Sequence, residues 1–227
     1  MYILVVGGDQ HRNTVVQFVL IKEGYEVETV EDPRRALQLI QKREPDLLLI
    51  DVTMPYLNGF EFAARLRDEG YEIPLIFITD QDAIESRLQG FKVGADDYIC
   101  QPCNYQELVA RIRAVMRRVE RCSVVTRQCI RSGRFELFPT ELRVAVDDQN
   151  PIMLTPTEMH VLRVLMSYPG QVVKREQLWT EVWNEGETNS NVVDVYIRRL
   201  RTKLEMDADN PRHIISIRGI GYKFLGK

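Results

Sequence analysis

The first half of the chain alternates short apolar runs with amphipathic stretches, and that alternation predicts its elements. Tyr2–Val6, Tyr25–Val30, Asp46–Ile50, Pro74–Ile78 and Asp97–Ile99 read as strands. Between them Thr14–Glu23, Arg34–Lys42, Phe60–Leu66 and Ala83–Val93 carry helical spacing, with Gly24, Gly70 and Gly94 beyond three of the ends. A strongly periodic stretch, Tyr105–Val119, predicts a last helix. The run DLLLI at 46–50 is apolar after its first residue, as a strand covered on both faces must be. Five strands alternating with five helices imply an α/β domain with a doubly wound five-stranded parallel sheet, right-handed crossovers and helices on both faces. Ligands of such sheets sit outside the carboxyl ends of the strands. The tips that matter are therefore Gly7–Gly8–Asp9, Asp51, Thr79 and Cys100–Cys103.

After about residue 120 the pattern changes. Residues 121–127 read as a linker between a first domain at 1–120 and a second at 128–227. Polar and apolar positions alternate over about Cys129–Leu154, which predicts a small antiparallel sheet. Three helices follow. The first begins at LTPTE, where Thr155 can cap, Pro156 takes the first helical position and Glu158 completes a capping box. The others span about Arg175–Trp183 and Asn191–Glu205, and IISIRGIGYKF then reads as a hairpin with Gly219 and Gly221 at its tip. Three helices and a terminal hairpin make an α+β winged helix-turn-helix.

Composition changes this picture in one respect. The 227 residues carry a net charge of −3, which speaks against a nucleic-acid partner if the charge is evenly spread. It is not. Residues 1–120 hold 14 basic and 20 acidic side chains, net −6, whereas residues 121–227 hold 16 and 13, net +3. The two domains should have different partners. No apolar run approaches the ~18 residues of a spanning helix, and the start lacks a signal peptide's basic region, so a cytoplasmic protein without a membrane partner is expected. Four cysteines are too few for a disulfide scaffold. Cys100 and Cys103 form a C-x-x-C, which reads either as a redox or metal pair or as two small residues packing beside Pro102. A nucleotide-binding enzyme is suggested by a strand, two glycines and a helix, but GGDQHR does not fit the G-x-G-x-x-G fingerprint.

DVTMPYLNG around Asp51, GADDYI at 94–99, ELVARIRAVMRR at 107–118, LTPTE, KREQLW, VDVYIRRLRTKLE and IRGIGYKF occur in order and spacing. In these the chain resembles the OmpR/PhoB family of bacterial response regulators over nearly its whole length. The resemblance implies a flavodoxin-like, CheY-like receiver followed by a DNA-binding domain, a regulator of transcription rather than an enzyme. It places the phosphoacceptor at Asp51, the switch hydroxyl at Thr79 and the switch aromatic at Tyr98.

The family also uses an acidic pair for Mg2+ and a lysine that pairs with the phosphoryl group. Those positions fall on Gly7, Gly8 and Gln101, which offer neither carboxylate nor charge, while Asp80 adds a negative charge at the pocket entrance. The expectation is a degenerate receiver that needs no cofactor, binds Mg2+ weakly or not at all, and does not depend on a cognate histidine kinase. The alternative is an ordinary two-component regulator activated by phosphorylation of Asp51.

The resemblance further implies a homodimer through the receiver, with Arg87–Glu107, Asp97–Arg111 and Asp96–Arg118 as opposite charges across a two-fold axis. On the third helix of the second domain Val193, Ile197, Leu200 and Leu204 should face the core. Asn191, Val192, Val195, Tyr196, Arg198, Arg199 and Arg201 should then face double-stranded DNA, joined by Ser216, Tyr222 and the wing arginine Arg218. A dimer would read repeated half-sites about one helical turn apart in a promoter. The loop Asn184–Asn189 matches one that touches RNA polymerase in relatives.

Overall fold

The computed structural model describes residues 1–124, 129–147, 150–183 and 190–226. The chain divides into two compact units, Met1–Val115 and Met116–Lys227.

The order is β1 (Tyr2–Val6), α1 (Gln10–Lys22), β2 (Glu26–Val30), α2 (Pro33–Lys42), β3 (Leu47–Ile50), α3 (Gly59–Asp68), β4 (Leu75–Thr79), α4 (Ile84–Lys92) and β5 (Asp97–Cys100) in the first unit, then α5 (Tyr105–Val124), which contains the boundary between the units. The strands are parallel in the order β2-β1-β3-β4-β5. Every residue of β1, β3 and β4 is buried, the consequence of helices on both faces. The strand order reverses between β1 and β3, so a crevice opens at their carboxyl ends. Val6 pairs with Ile50 and Ile50 with Phe77, which brings Gly7, Asp51 and the end of β4 to one rim.

Two helix limits differ from expectation by four or five residues, the others by one or two. α1 begins at Gln10 rather than Thr14, because Asp9 caps it by accepting a hydrogen bond from the Arg12 amide at 3.0 Å. The first turn of α1 therefore stands inside the crevice. α5 runs through Val124, into the stretch expected as linker, since residues 105–124 contain neither glycine nor proline to stop it.

The second unit opens with an antiparallel sheet, β6 (Ile130–Ser132), β7 (Phe135–Phe138), β8 (Arg143–Val146) and β9 (Ile152–Met153). α6 (Pro156–Ser167), β10 (Val172–Lys174), α7 (Arg175–Val182), α8 (Ser190–Leu204), β11 (Ile214–Ile217) and β12 (Gly221–Phe224) complete it. Thr155 and Glu158 form the expected capping box at α6. β10 was not predicted; three residues carry too little alternation to read, and β10 exists by pairing with β12. At Gly221 a Cβ would lie 2.0 Å from the Val173 carbonyl oxygen, so only glycine lets the two strands approach. Among the described residues no helix is long and apolar enough to cross a membrane.

Candidate functional site

Asp51 follows β3 directly and is 5% exposed. Its Oδ1 accepts from the Thr53 amide at 3.0 Å and its Oδ2 from Arg12 Nη1 at 2.9 Å. Burial raises the carboxyl above the ordinary aspartate range, with Asp80 adding to the rise, against the opposing pull of the Thr53 amide and Arg12. Arg12 was missed in the sequence because the helix start was placed two residues beyond it. Its signal was available: an arginine three residues after a capping aspartate faces back toward the cap.

Gly7 and Gly8 lie between β1 and α1, as expected, and contribute no side-chain oxygen. The space beside Gly7 is filled. Asn13, 6% exposed, donates from Nδ2 to the Gly7 carbonyl at 2.7 Å, and a Cβ on Gly7 would lie 2.8 Å from Asn13 Oδ1. A Cβ on Gly8 would lie 3.0 Å from Pro55 Cδ. Asp9 is turned to its capping role, with one carboxylate oxygen 3.9 Å from Arg12 Nε. Gln101 is half-buried; its amide donates to the Thr79 carbonyl at 2.7 Å, and its bond to Pro102 is cis. The other carboxylates near Asp51 are Asp80, whose charge it feels, and Asp9, which caps α1. Among the described residues no group of three or more His, Cys, Asp or Glu is placed to hold a metal ion.

Thr79 is fully buried at the end of β4, and its Oγ1 accepts from the Gln81 amide at 3.4 Å. Tyr98 is 6% exposed, packs 6.0 Å from Phe77 and donates its hydroxyl to the Gln81 carbonyl at 2.8 Å. Burial pushes its phenol up to about 12.

The six charged residues expected at a dimer face do not all present themselves. Arg111 pairs within the chain, with Asp97 at 3.2 Å and Glu107 at 2.9 Å. Arg87 is exposed and donates to Cys100 Sγ at 3.2 Å. Asp96 and Arg118 correct the expectation. Asp96 is 0% exposed, its carboxylate accepting from the Leu75 amide at 3.0 Å where β4 begins, and Arg118 is 4% exposed. Cys100, Cys103 and Cys129 are free thiols.

α8 likewise sorts differently from its sequence pattern. Val192 and Tyr196 are 2% and 1% exposed, so they belong to the core and not to the outward face. The apolar stripe is two residues wide, Val192–Val193 and Tyr196–Ile197, and Trp183 packs on Tyr196 at 5.3 Å between ring centres. Arg199 also turns inward, its Nη2 2.6 Å from Oε1 of the fully buried Glu158, while Lys203 meets Oε2 at 2.8 Å. Burial works to raise the Glu158 carboxyl, but Arg199, Lys203 and the Thr155 amide outweigh it and bring its pKa to about 2. Glu158 appeared in the sequence only as a helix cap.

Of the α8 residues expected to face DNA, Asn191 and Arg198 are exposed and Val195 is half-buried. Arg198 is ion-paired with Asp209. Arg201 ties helix to wing, donating from Nε to the Ile214 carbonyl at 2.9 Å and from Nη2 to Ser216 Oγ at 2.9 Å. Arg218 is exposed beside Gly219, whose φ of +74° makes the wing turn. Tyr222 corrects another expectation. It is 3% exposed, donates to Asp194 Oδ1 at 2.5 Å and accepts from Arg175 Nη2 at 3.2 Å, with Arg175 Nε 2.8 Å from the same carboxylate. This triad joins α7, α8 and β12. The loop Asn184–Asn189 lies outside the described residues.

Comparison with known proteins agrees with this architecture. The family model described as a response regulator receiver domain matches residues 3–113, and that of a transcriptional regulatory protein C-terminal domain matches residues 149–224. The alkaline phosphatase synthesis transcriptional regulatory protein SphR of Synechococcus elongatus is 35% identical over 231 residues, covering 97% of this chain and 90% of its own. Response regulator MprA of Mycobacterium tuberculosis is 36% identical over 221 residues, covering 97% and 95%. Among solved structures a RitR mutant matches with a TM-score of 0.82 at 28% identity, over 100% of this chain and 99% of its own. DrrB of Thermotoga maritima, described as an OmpR/PhoB homolog, matches at 0.51 and 29% identity over 99% of both chains. The chain therefore belongs to the response regulators of OmpR/PhoB type, a receiver domain followed by a DNA-binding domain that regulates transcription.

Proposed function

We propose that this DNA-binding regulator works with a receiver that neither requires phosphorylation nor uses Mg2+. One observation carries the reading: the Asp51 carboxylate is engaged by Arg12 at 2.9 Å, beside glycines at both positions of the metal-binding acids. A phosphoryl group arriving at Asp51 would find no acidic pair to hold a divalent cation and no lysine, and would have to displace or share Arg12, while Asp80 would repel the donor. The receiver then serves to pair two copies through α4, β5 and α5, so that two winged helices read repeated half-sites in cytoplasmic DNA. No cognate kinase is needed, and contact with RNA polymerase would come from the loop at 184–189.

The ordinary reading, activation by phosphorylation, is favoured by the retention of Asp51, Thr79 and Tyr98. Acetyl phosphate with Mg2+, followed by intact mass, separates the two. No adduct is expected on the full chain. An adduct of one phosphoryl group that disappears in Asp51→Ala would establish the ordinary reading.

A further inference from the structure

A divalent-cation site needs open space as well as oxygen atoms. We propose that the first turn of α1 is this receiver's replacement for the metal: Arg12 supplies the cation beside Asp51, and Asn13 fills the place of the acid missing at Gly7. The inference rests on the metal-independent reading above and goes past it, because it makes the pocket a rebuilt one rather than a set of deletions.

The geometry comes from three contacts. Arg12 reaches Asp51 Oδ2 at 2.9 Å with only 6% of the aspartate side chain exposed, and Oδ1 takes the Thr53 amide, so both carboxylate oxygens already have partners. Asp9 holds the turn in place by capping the Arg12 amide at 3.0 Å, and its carboxylate stays near the same guanidinium. Asn13 is buried against the Gly7 carbonyl at 2.7 Å, and its Oδ1 stands 2.8 Å from where a Gly7 Cβ would lie, so an acid at Gly7 requires the Asn13 side chain to give way. Charge agrees with space. A lone buried carboxylate is costly unless paired, and one guanidinium balances one carboxylate where a divalent ion would leave an excess of positive charge. Arg12 keeps 29% of its side chain exposed, so it escapes most of the desolvation that Asp51 bears.

Replacing the acids should therefore not restore the metal site. In the full chain, Gly7→Asp/Gly8→Asp is compared with the same pair combined with Arg12→Ala/Asn13→Ala, measuring Mg2+ binding by calorimetry. The four-position variant should bind Mg2+ at least tenfold more tightly than the two-position variant. Equal affinities, or no binding by either folded variant, would overturn the proposal. Should a variant fail to fold, urea unfolding of Arg12→Ala decides: it should lower the midpoint in the parent and not in an Asp51→Asn background. The same shift in both backgrounds would overturn it as well. Mg2+ binding by the parent chain would instead remove the metal-independent reading itself.

Discussion

A buried glutamate shared by two cations sets the acid stability of the DNA-binding domain. Glu158 is 0% exposed, caps α6, and meets both Arg199 and Lys203 of α8. Its folded-state pKa lies near 2 against an ordinary 4.5. Because the folded value is depressed, the stabilisation is complete above about pH 4.5 and is lost as pH falls toward 2, on the order of 3 kcal/mol in all. Glu158→Gln should be less stable at pH 7 by roughly 3 kcal/mol, since it leaves two part-buried cations with a neutral partner. Its stability should also lose the slope between pH 4.5 and 2 that the parent shows in urea titrations at stepped pH. An unchanged slope in the glutamine variant would assign the acid transition to other carboxylates.

At the scale of the element, α8 shows what a sequence pattern can and cannot resolve. Val193, Ile197, Leu200 and Leu204 follow the helical period and are buried, as their spacing requires. Val192 and Tyr196 keep the same four-residue step one position earlier, which widens the stripe; both are buried, and Trp183, at the end of α7, packs on Tyr196. A single sequence does not say which neighbour covers which flank. The arginines were equally ambiguous. Arg199 pairs inward with Glu158, Arg201 bonds the wing, and Arg198 stays outward, though all three read as one basic run. The same blindness hid Arg12 and Asn13, whose roles depend on where α1 starts, whereas Asp51 and Thr79 were legible as strand tips of a parallel sheet and Tyr98 through the family resemblance. For the helix this yields a sharp contrast. Arg198→Ala should leave the melting temperature of the chain nearly unchanged, since its pair with Asp209 is exposed. If it touches a phosphate it should weaken DNA binding and lower the salt slope of log K by about 1. Fluorescence anisotropy on one half-site over a salt series measures this, and an unaltered slope would remove Arg198 from the phosphate contacts.

For the whole molecule the net charge of −3 averages an acidic receiver with a basic DNA-binding half, so affinity for DNA depends on where charge lies rather than on its sum. An acidic receiver set on polyanionic DNA works against binding, and the proposed dimer would offset this by letting two winged helices act together. Of the six charges expected there, Arg87 and Glu107 are exposed and Asp97 and Arg111 part-buried, while Asp96 and Arg118 are buried. Arg111 is the centre of this set, with 41% of its side chain exposed and ion pairs to both Asp97 and Glu107 that a partner copy could take over. Exchanging an internal exposed pair for an intermolecular one gains little per pair, about 0–1 kcal/mol, so the dimer should be weak and concentration-dependent. Arg111→Glu puts three carboxylates together on each copy and repels the partner's as well. The variant should sediment as a monomer at concentrations where the parent is a dimer, and should lose cooperativity on a repeated site while keeping its affinity for a single half-site. A dimer of unchanged strength would place the interface on another face of the receiver.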